Sequence, residues 1–259
     1  MRHDIVKTTN VLRLMNAIRT LTDRGMGEEG MGLVSGEPGE GKTTAVSYAV
    51  NQTRGVFLRA TVAWRVTSML SALCRELGVE VHPHRAVMLE AVVHTLTMDP
   101  RPIFIDEADY LIRTVRESTD MLDAIRYIYD LAQVPVLLIG MEDIAKRISP
   151  RGQFSRFHRR ITQWVSFQGM TALDAQKVAG TVCEVDIEGA LPRGASDADA
   201  PPIAGTLVEA IYDGTGGKIG HIVIELGEIE RWARTNGRDR VTLEDYTTRR
   251  LRFKPRRAA

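Results

Sequence analysis

The stretch GEPGEGKT, Gly36–Thr43, decides the fold because it fits the phosphate-loop pattern G-x-x-x-x-G-K-[S/T] at every fixed position. The apolar run before it, Met31–Ser35, is typical of a buried strand, and Thr44–Val50 after it is typical of a helix. In such a unit, backbone N–H groups and the positive end of the helix point at one place, which favours an anion. A glycine-rich turn with a surface lysine is the alternative, and it would not require these flanks.

The loop offers contacts for a nucleoside triphosphate. We expect Lys42 to reach the β- and γ-phosphates and the Thr43 hydroxyl to hold Mg²⁺. ATP and Mg²⁺ are therefore the expected cofactors. The candidate nucleotide-binding residues of this stretch are Gly36, Glu37, Pro38, Gly39, Glu40, Gly41, Lys42, Thr43 and Thr44.

A second apolar run, Pro102–Ile105, ends in the acidic residues Asp106 and Glu107. A continuous apolar run is typical of a central parallel strand that is buried on both faces. Open α/β sheets bind their ligands at the carboxyl ends of such strands. We therefore expect Asp106 to hold Mg²⁺ with Thr43, directly or through water, and Glu107 to polarise the water that attacks the γ-phosphate.

Five strand-like runs separated by helical patterns predict an α/β fold with a parallel sheet and helices on both faces. Two helices, near residues 64–77 and 86–98, separate the second and third strands, which is one more than a crossover needs. The additional helix is a candidate functional insertion. Beyond Gly169 the pattern predicts a small all-helical second domain, in which residues 186–205 form a flexible loop.

The segment Phe154–Arg160 holds four basic and two aromatic residues in seven positions. It is either a basic surface helix or the source of an arginine finger that reaches the nucleotide of a neighbouring subunit. The candidates for the finger are Arg156 first, then Arg159 and Arg160.

Other basic residues are candidates for DNA contacts, although each alone could be an ordinary surface charge. They lie on or near the two helices of the insertion and after the acidic strand end: Arg65, Arg75, Arg85, Arg113 and Arg116. The basic tail, Arg249–Arg257, either contacts phosphates or acidic partners or is simply solvated.

The composition excludes several classes of protein. The chain has 259 residues, of which 44% are hydrophobic and 26% charged, and its net charge is +1, so that nucleic-acid contacts must come from local patches. Its N-terminus lacks the apolar core of a signal peptide, and no apolar run reaches membrane-spanning length. The two cysteines form no CxxC pair, which indicates buried thiols. These features predict a cytoplasmic protein without a membrane partner.

The phosphate loop, the acidic strand end, the arginine-bearing segment and the helical C-terminal region together resemble an AAA+ ATPase over essentially the whole chain. Within that superfamily the chain resembles the ATPase regulators of DNA transposition, the family of the phage Mu B protein, TniB and TnsC. Three stretches carry this resemblance: Ile5–Asn10 before the first helix, the additional helix after the second strand, and Thr215–His221.

The resemblance implies a P-loop AAA+ fold, with a five-stranded parallel sheet flanked by helices and a small C-terminal helical lid. The implied domains are a nucleotide-binding domain at residues 1–168 with an N-terminal segment at 1–29, a lid at 169–248 and a basic tail at 249–259. The implied function is an ATPase that assembles as a ring or helical filament on duplex DNA, through the phosphate backbone, and recruits or activates a transposase. A replication initiator or helicase loader, and a secretion-associated ATPase that binds no DNA, are the alternatives.

Two positions depart from the pattern of the superfamily. Gly220, with His221 beside it, stands where many AAA+ proteins carry a lid arginine, and we include both residues among the expected nucleotide contacts. Met141 stands where a polar residue usually follows the fourth strand. These departures imply a slow switch, in which ATP binding assembles the protein and hydrolysis dismantles it.

Overall fold

The computed structural model describes residues 4–25, 27–112, 115–148 and 154–252, without the side chains of residues 115–118 and 249–252. It contains a five-stranded parallel sheet with the order β2-β3-β4-β1-β5. This sheet confirms the predicted α/β fold. The strands are β1 Met31–Ser35, β2 Val56–Arg59, β3 Ile103–Asp106, β4 Val136–Gly140 and β5 Ile161–Ser166.

Seven helices and one 3₁₀ helix, at Ala108–Ile112, accompany these strands in the described residues. Two of them, α3 and α4, lie between β2 and β3 as the sequence predicts. The helices are α1 Thr9–Thr22, α2 Lys42–Thr53, α3 Val66–Leu77, α4 Arg85–Met98, α5 Val115–Ala132, α6 Ile144–Arg147 and α7 Ser155–His158.

The central strands β1, β3 and β4 are buried on both faces, because successive residues point to opposite sides of the sheet and helices cover both sides. In β3, Ile103 and Ile105 pack with α3, α4 and α5, whereas Phe104 packs with α1 and α2. Adjacent β4 repeats this alternation, with Leu138 on the first side and Leu137 on the second. The covered faces explain why these strands read as continuous apolar runs.

The chain forms two compact units. The sheet unit comprises Val11–Pro38 and Lys42–Phe167, and the C-terminal unit comprises Met1–Asn10, Gly39–Gly41 and Gln168–Ala259. The elements of the C-terminal unit beyond Gln168 are α8 Ala172–Val182, β6 Asp186–Ile187, a 3₁₀ helix at Asp197–Asp199, α9 Leu207–Thr215, α10 Ile219–Thr235, β7 Arg240–Val241 and α11 Leu243–Arg252.

One prediction for the region after Gly169 was wrong. The region is not all-helical, because β6 and β7 pair as a two-stranded parallel sheet. The segment 186–205 is largely a loop, and it also contains β6 and the 3₁₀ helix at Asp197–Asp199. Its anchor is Gln176, a buried residue of α8 whose Nε2 donates hydrogen bonds of 2.8 Å to the carbonyls of both Gly189 and Pro201. Side-chain anchors of this kind leave no periodic signal in a sequence.

The N-terminal segment belongs to the C-terminal unit through several polar contacts. The Thr9 N–H donates to Asp174 Oδ1 at 3.0 Å, and Asp4 forms an ion pair of 2.6 Å with Arg193. Asn10 Nδ2 donates to the carbonyl of Gln168 at 2.7 Å. Asp174 is buried and also accepts the Thr171 N–H at its other oxygen, so that one carboxylate holds two chain segments.

Replacement of Gly180 by alanine is expected to destabilise the C-terminal unit. Alanine normally favours a helix over glycine, but a Cβ at this position of α8 would lie 1.8 Å from the Leu191 carbonyl oxygen. Overpacking of this kind costs about 1–3 kcal/mol, so thermal unfolding followed by circular dichroism should occur at a lower temperature. Gly25→Ala is the matched control, since its Cβ would make only ordinary contacts at 3.6 Å. An unchanged or raised melting temperature for Gly180→Ala would contradict the packing argument.

Candidate nucleotide-binding site

The phosphate loop connects β1 to α2, which begins at Lys42, as the sequence pattern predicts. Gly39 and Gly41 have φ values of +86° and +78°, a backbone region that favours glycine. Lys42 Nζ donates hydrogen bonds to the carbonyls of Gly36 at 2.6 Å and Glu37 at 2.8 Å. The ammonium group therefore lies against the first residues of the loop, and the loop leads into the N-terminus of a twelve-residue helix; both groups favour a bound phosphate.

The expected magnesium ligands lie side by side. The Thr43 hydroxyl donates to Asp106 Oδ2 at 3.0 Å, and Asp106 is only 3% exposed. Mg²⁺ prefers oxygen ligands and commonly binds one or two protein groups together with phosphate oxygens and water. A hydroxyl and a carboxylate at this distance fit such an ion. The described residues contain no cluster of three or more His, Cys, Asp or Glu side chains that would hold a metal without a nucleotide.

Glu107 follows directly at the end of β3. Its side chain is 39% exposed, and Glu107 Oε1 lies 3.3 Å from Arg59 Nη2 in an ion pair. The backbone of Glu107 adopts φ +56°, which is uncommon for a residue with a side chain. No sequence pattern indicated Arg59, the last residue of β2. Arg59 lies near Glu107 because the strand register pairs Arg59 with Asp106, the residue before Glu107.

Replacement of Arg59 by alanine is expected to raise basal ATP turnover, because the ion pair holds the carboxylate of Glu107, the residue that we expect to activate water. An exposed pair contributes about 0–1 kcal/mol, so the increase should not exceed roughly fivefold. Initial-rate phosphate release checks this. Arg54→Ala, which removes the exposed arginine paired with Asp99, is the matched control. A decrease for Arg59→Ala would mean that the arginine assists hydrolysis instead.

The two departures from the superfamily pattern have distinct surroundings. Met141, directly after β4, has an exposed side chain, and its backbone N–H donates to Asp109 Oδ2 at 2.7 Å. Gly220 lies in the first turn of α10, and its N–H donates to the carbonyl of Gly39 at 2.9 Å within the C-terminal unit. His221 beside it is exposed.

The three finger candidates are not equivalent. Arg160 donates hydrogen bonds to both carboxylate oxygens of Asp130, at 2.9 and 3.0 Å. Its Nη1 also lies 3.8 Å from Glu29 Oε1 in an ion pair. The hydrogen bond to Asp130 raises the pKa of Arg160 above its ordinary value. The side chains of Arg156 and Arg159 are exposed and form no hydrogen bond or ion pair with the residues that the structure describes. The geometry therefore favours these two arginines as groups that can reach another molecule.

Three of the five candidate DNA contacts lie on or directly before α3 and α4. Arg65 precedes α3, where its N–H donates to Ser68 Oγ at 2.8 Å, and Arg75 and Arg85 are exposed at the end of α3 and the start of α4. Arg113 lies outside the described residues, and Arg116 is described only as part of the α5 backbone. The basic tail also lies outside them, except for the helical backbone that ends at Arg252.

This sheet order, with helices on both faces and further helices towards the C-terminus, is an AAA+-like α/β fold. Residues 24–148 match a family model described as an AAA domain. A search of curated proteins found no match. No helix in the parts of the chain that the structure describes is long and apolar enough to cross a membrane.

Similar solved structures include three archaeal proteins. The Aeropyrum pernix ORC2 protein, in ADPNP–ADP complexes, has a TM-score of 0.64 and 14% identity over 91% of this chain and 65% of its own. The A. pernix ORC1 protein in complex with DNA has a TM-score of 0.58 and 16% identity over 97% of this chain and 66% of its own. Cdc6p from Pyrobaculum aerophilum has a TM-score of 0.51 and 16% identity over 89% of this chain and 62% of its own.

At these identities the likeness establishes the fold alone. The chain spans slightly less than two thirds of the length of each of these three proteins.

Proposed function

We propose that this chain binds ATP with Mg²⁺, hydrolyses it slowly and uses the ATP state to assemble on duplex DNA. The observation that carries the proposal is the 3.0 Å contact between Thr43 and Asp106, which joins the phosphate loop to the acidic strand end. The AAA-domain match supports the ATPase activity. Mg²⁺, when bound with ATP, neutralises charge that develops on the phosphates.

Each residue of the site has a proposed role. Lys42 binds the phosphates, Thr43 and Asp106 hold Mg²⁺, and Glu107 orients and activates water. The ion pair with Arg59 holds Glu107 away from that role in the resting protein. Gly220 cannot supply the charge of a lid arginine because it has no side chain, and its backbone N–H donates to the carbonyl of Gly39.

Assembly would bring an arginine from a neighbouring copy to the γ-phosphate. Arg156 and Arg159 are the candidates, since both are exposed and Arg160 is occupied by Asp130. An arginine supplied in trans stabilises charge in the transition state and can accelerate hydrolysis by roughly 10³–10⁵-fold.

Complementation between two inactive variants tests this arrangement. Arg156→Ala chains keep a nucleotide site but lack the finger, whereas Lys42→Ala chains keep the finger but lack the site. We expect the mixture to regain phosphate release that neither variant shows alone. Arg156→Ala mixed with the Lys42→Ala/Arg156→Ala double variant is the control and should stay inactive. If the first mixture also stays inactive, the same experiment with Arg159→Ala decides between the two arginines, and failure of both contradicts a finger on α7.

DNA binding is proposed for the exposed arginines of α3 and α4. The A. pernix ORC1 protein, which shares this fold, was solved in complex with DNA, and that supports the proposal. With a net charge of +1, contacts to phosphates must come from local basic groups such as these. Binding should therefore be steeply salt-dependent and weakly sequence-specific.

A salt titration of binding to fluorescent duplex DNA, with and without ATP, tests this part of the proposal. We expect tighter binding with ATP, a steep salt dependence, and a smaller slope for Arg75→Ala. No binding at low salt would instead favour a secretion-associated ATPase without a DNA partner.

The protein partner distinguishes two versions of the proposal. The likeness to archaeal ORC and Cdc6 structures supports a replication-initiator type, whose partner is a helicase. The resemblance of residues 5–10 and 215–221 to transposition regulators supports the second version, in which the partner is a transposase. Binding assays of the ATP-bound protein against a replicative helicase and a transposase, in parallel, separate the two.

A further inference from the structure

Asp109 lies in the 3₁₀ helix that follows the acidic end of β3. Its Oδ2 accepts the Met141 backbone N–H at 2.7 Å, so that it contacts the first residue after β4. Gly140 permits this contact, because a Cβ at Gly140 would lie 2.5 Å from the same carboxylate oxygen. The side chain of Asp109 therefore joins two segments that are 32 residues apart in the sequence.

This contact lies beyond the last paired residues of two neighbouring strands. The register between β3 and β4 ends at Ile105 and Leu138, although each strand continues further. Beyond that point, the hydrogen bond from the Met141 N–H to Asp109 connects the segment that follows β3 to the segment that follows β4. Met141 stands where AAA+ proteins usually carry a polar residue after the fourth strand. The backbone N–H of Met141, rather than its side chain, makes the hydrogen bond to Asp109.

The same turn sets the backbone of Glu107. Its φ of +56° is rarely adopted by residues with a side chain, so the surroundings must hold it. The Glu107 N–H donates to Asp106 Oδ1 at 2.9 Å, and its carbonyl accepts the Tyr110 N–H at 3.0 Å. Asp109 lies inside this turn, one residue before Tyr110.

We infer that Asp109 is a positioning residue for hydrolysis, which fixes the turn at Glu107 against the end of β4. The inference rests on the proposed ATPase function and adds a residue that no pattern in the sequence indicated. Asp109 acts through Glu107 and makes no contact with the nucleotide in this role. Its loss should therefore lower the rate of hydrolysis more than the affinity for ATP.

Steady-state kinetics of Asp109→Ala, with binding of a fluorescent ATP analogue, test the inference. A small misplacement of a group that acts on water can cost up to roughly 100-fold in rate, so we expect kcat to fall about 10- to 100-fold. The Kd for the analogue should stay within about threefold, because the phosphate loop is untouched. Asp109→Asn should retain most of the activity, since an amide oxygen can accept the same N–H.

Gly140→Ala provides a second perturbation that keeps the carboxylate but crowds it, and it should show the same selective loss of kcat. Asp123→Ala, which removes a carboxylate of α5 paired with Arg126, is the matched control and should behave as the wild type. A wild-type kcat for Asp109→Ala would overturn the inference, and so would parallel losses of kcat, analogue affinity and melting temperature, which indicate a merely structural residue. Absence of turnover in the wild-type protein would overturn the proposed function, and the inference with it.

Discussion

Lys42→Ala is expected to lower the affinity for ATP by roughly 30- to 3,000-fold. Loss of one partner from a charge pair at a binding site costs about 2–5 kcal/mol, and each 1.4 kcal/mol is a factor of ten. In the structure the ammonium group lies against the carbonyls of Gly36 and Glu37, at the start of the phosphate loop. Alanine removes the positive charge but leaves the glycines and the helix that follows.

Isothermal titration with ATP and Mg²⁺ measures this effect. Lys146→Ala is the matched control, because Lys146 is a largely exposed lysine of α6 that pairs with Asp143. Its removal should leave ATP affinity unchanged. Equal affinities for wild type and Lys42→Ala would mean that the nucleotide binds elsewhere, and the proposed site would have to be abandoned.

Glu107→Gln is expected to lower kcat by roughly 10²–10⁴-fold, which is the range that a positioned acid–base group contributes. Glutamine has the same shape but cannot accept a proton from water at neutral pH. The phosphate loop, Thr43 and Asp106 remain in place, so ATP affinity should change little. The variant should therefore accumulate in the ATP state, and its assemblies on DNA should persist longer than those of the wild type.

Single-turnover phosphate release, combined with nucleotide binding, separates the two properties of this variant. The ion pair with Arg59 supplies an internal control. If Arg59 acts through Glu107, then Arg59→Ala should change the rate in the wild-type background and have no further effect in the Glu107→Gln background. A Glu107→Gln protein that turns over at the wild-type rate would exclude Glu107 as the residue that activates water.

The parts of the fold that the sequence predicts are those set by local pattern. The phosphate loop needs glycines, a lysine and a hydroxyl at fixed spacing, and these residues are adjacent in the chain. The end of β3 was predictable for a similar reason, since a strand buried on both faces is apolar up to the acidic residue at its carboxyl end. The proximity of Asp106 to Thr43 then follows from the general rule for parallel sheets.

The remaining parts depend on contacts between distant segments. Arg59 meets Glu107 only because β2 and β3 pair in one register, and Asp109 meets Met141 only because β3 and β4 end side by side. Arg160 carries the same signal in the sequence as Arg156, yet Asp130 holds it in an ion pair. The short strands β6 and β7 have two residues each, too few for a periodic pattern.

We propose that ATP binding drives assembly of this protein on DNA. Electron microscopy and sedimentation of the protein with duplex DNA, in ATP, in ADP and without nucleotide, test it most directly. Rings or filaments should form on DNA only with ATP, fail to form with Lys42→Ala and persist with Glu107→Gln. Assemblies that form equally well without nucleotide, or with Lys42→Ala, would contradict the claim.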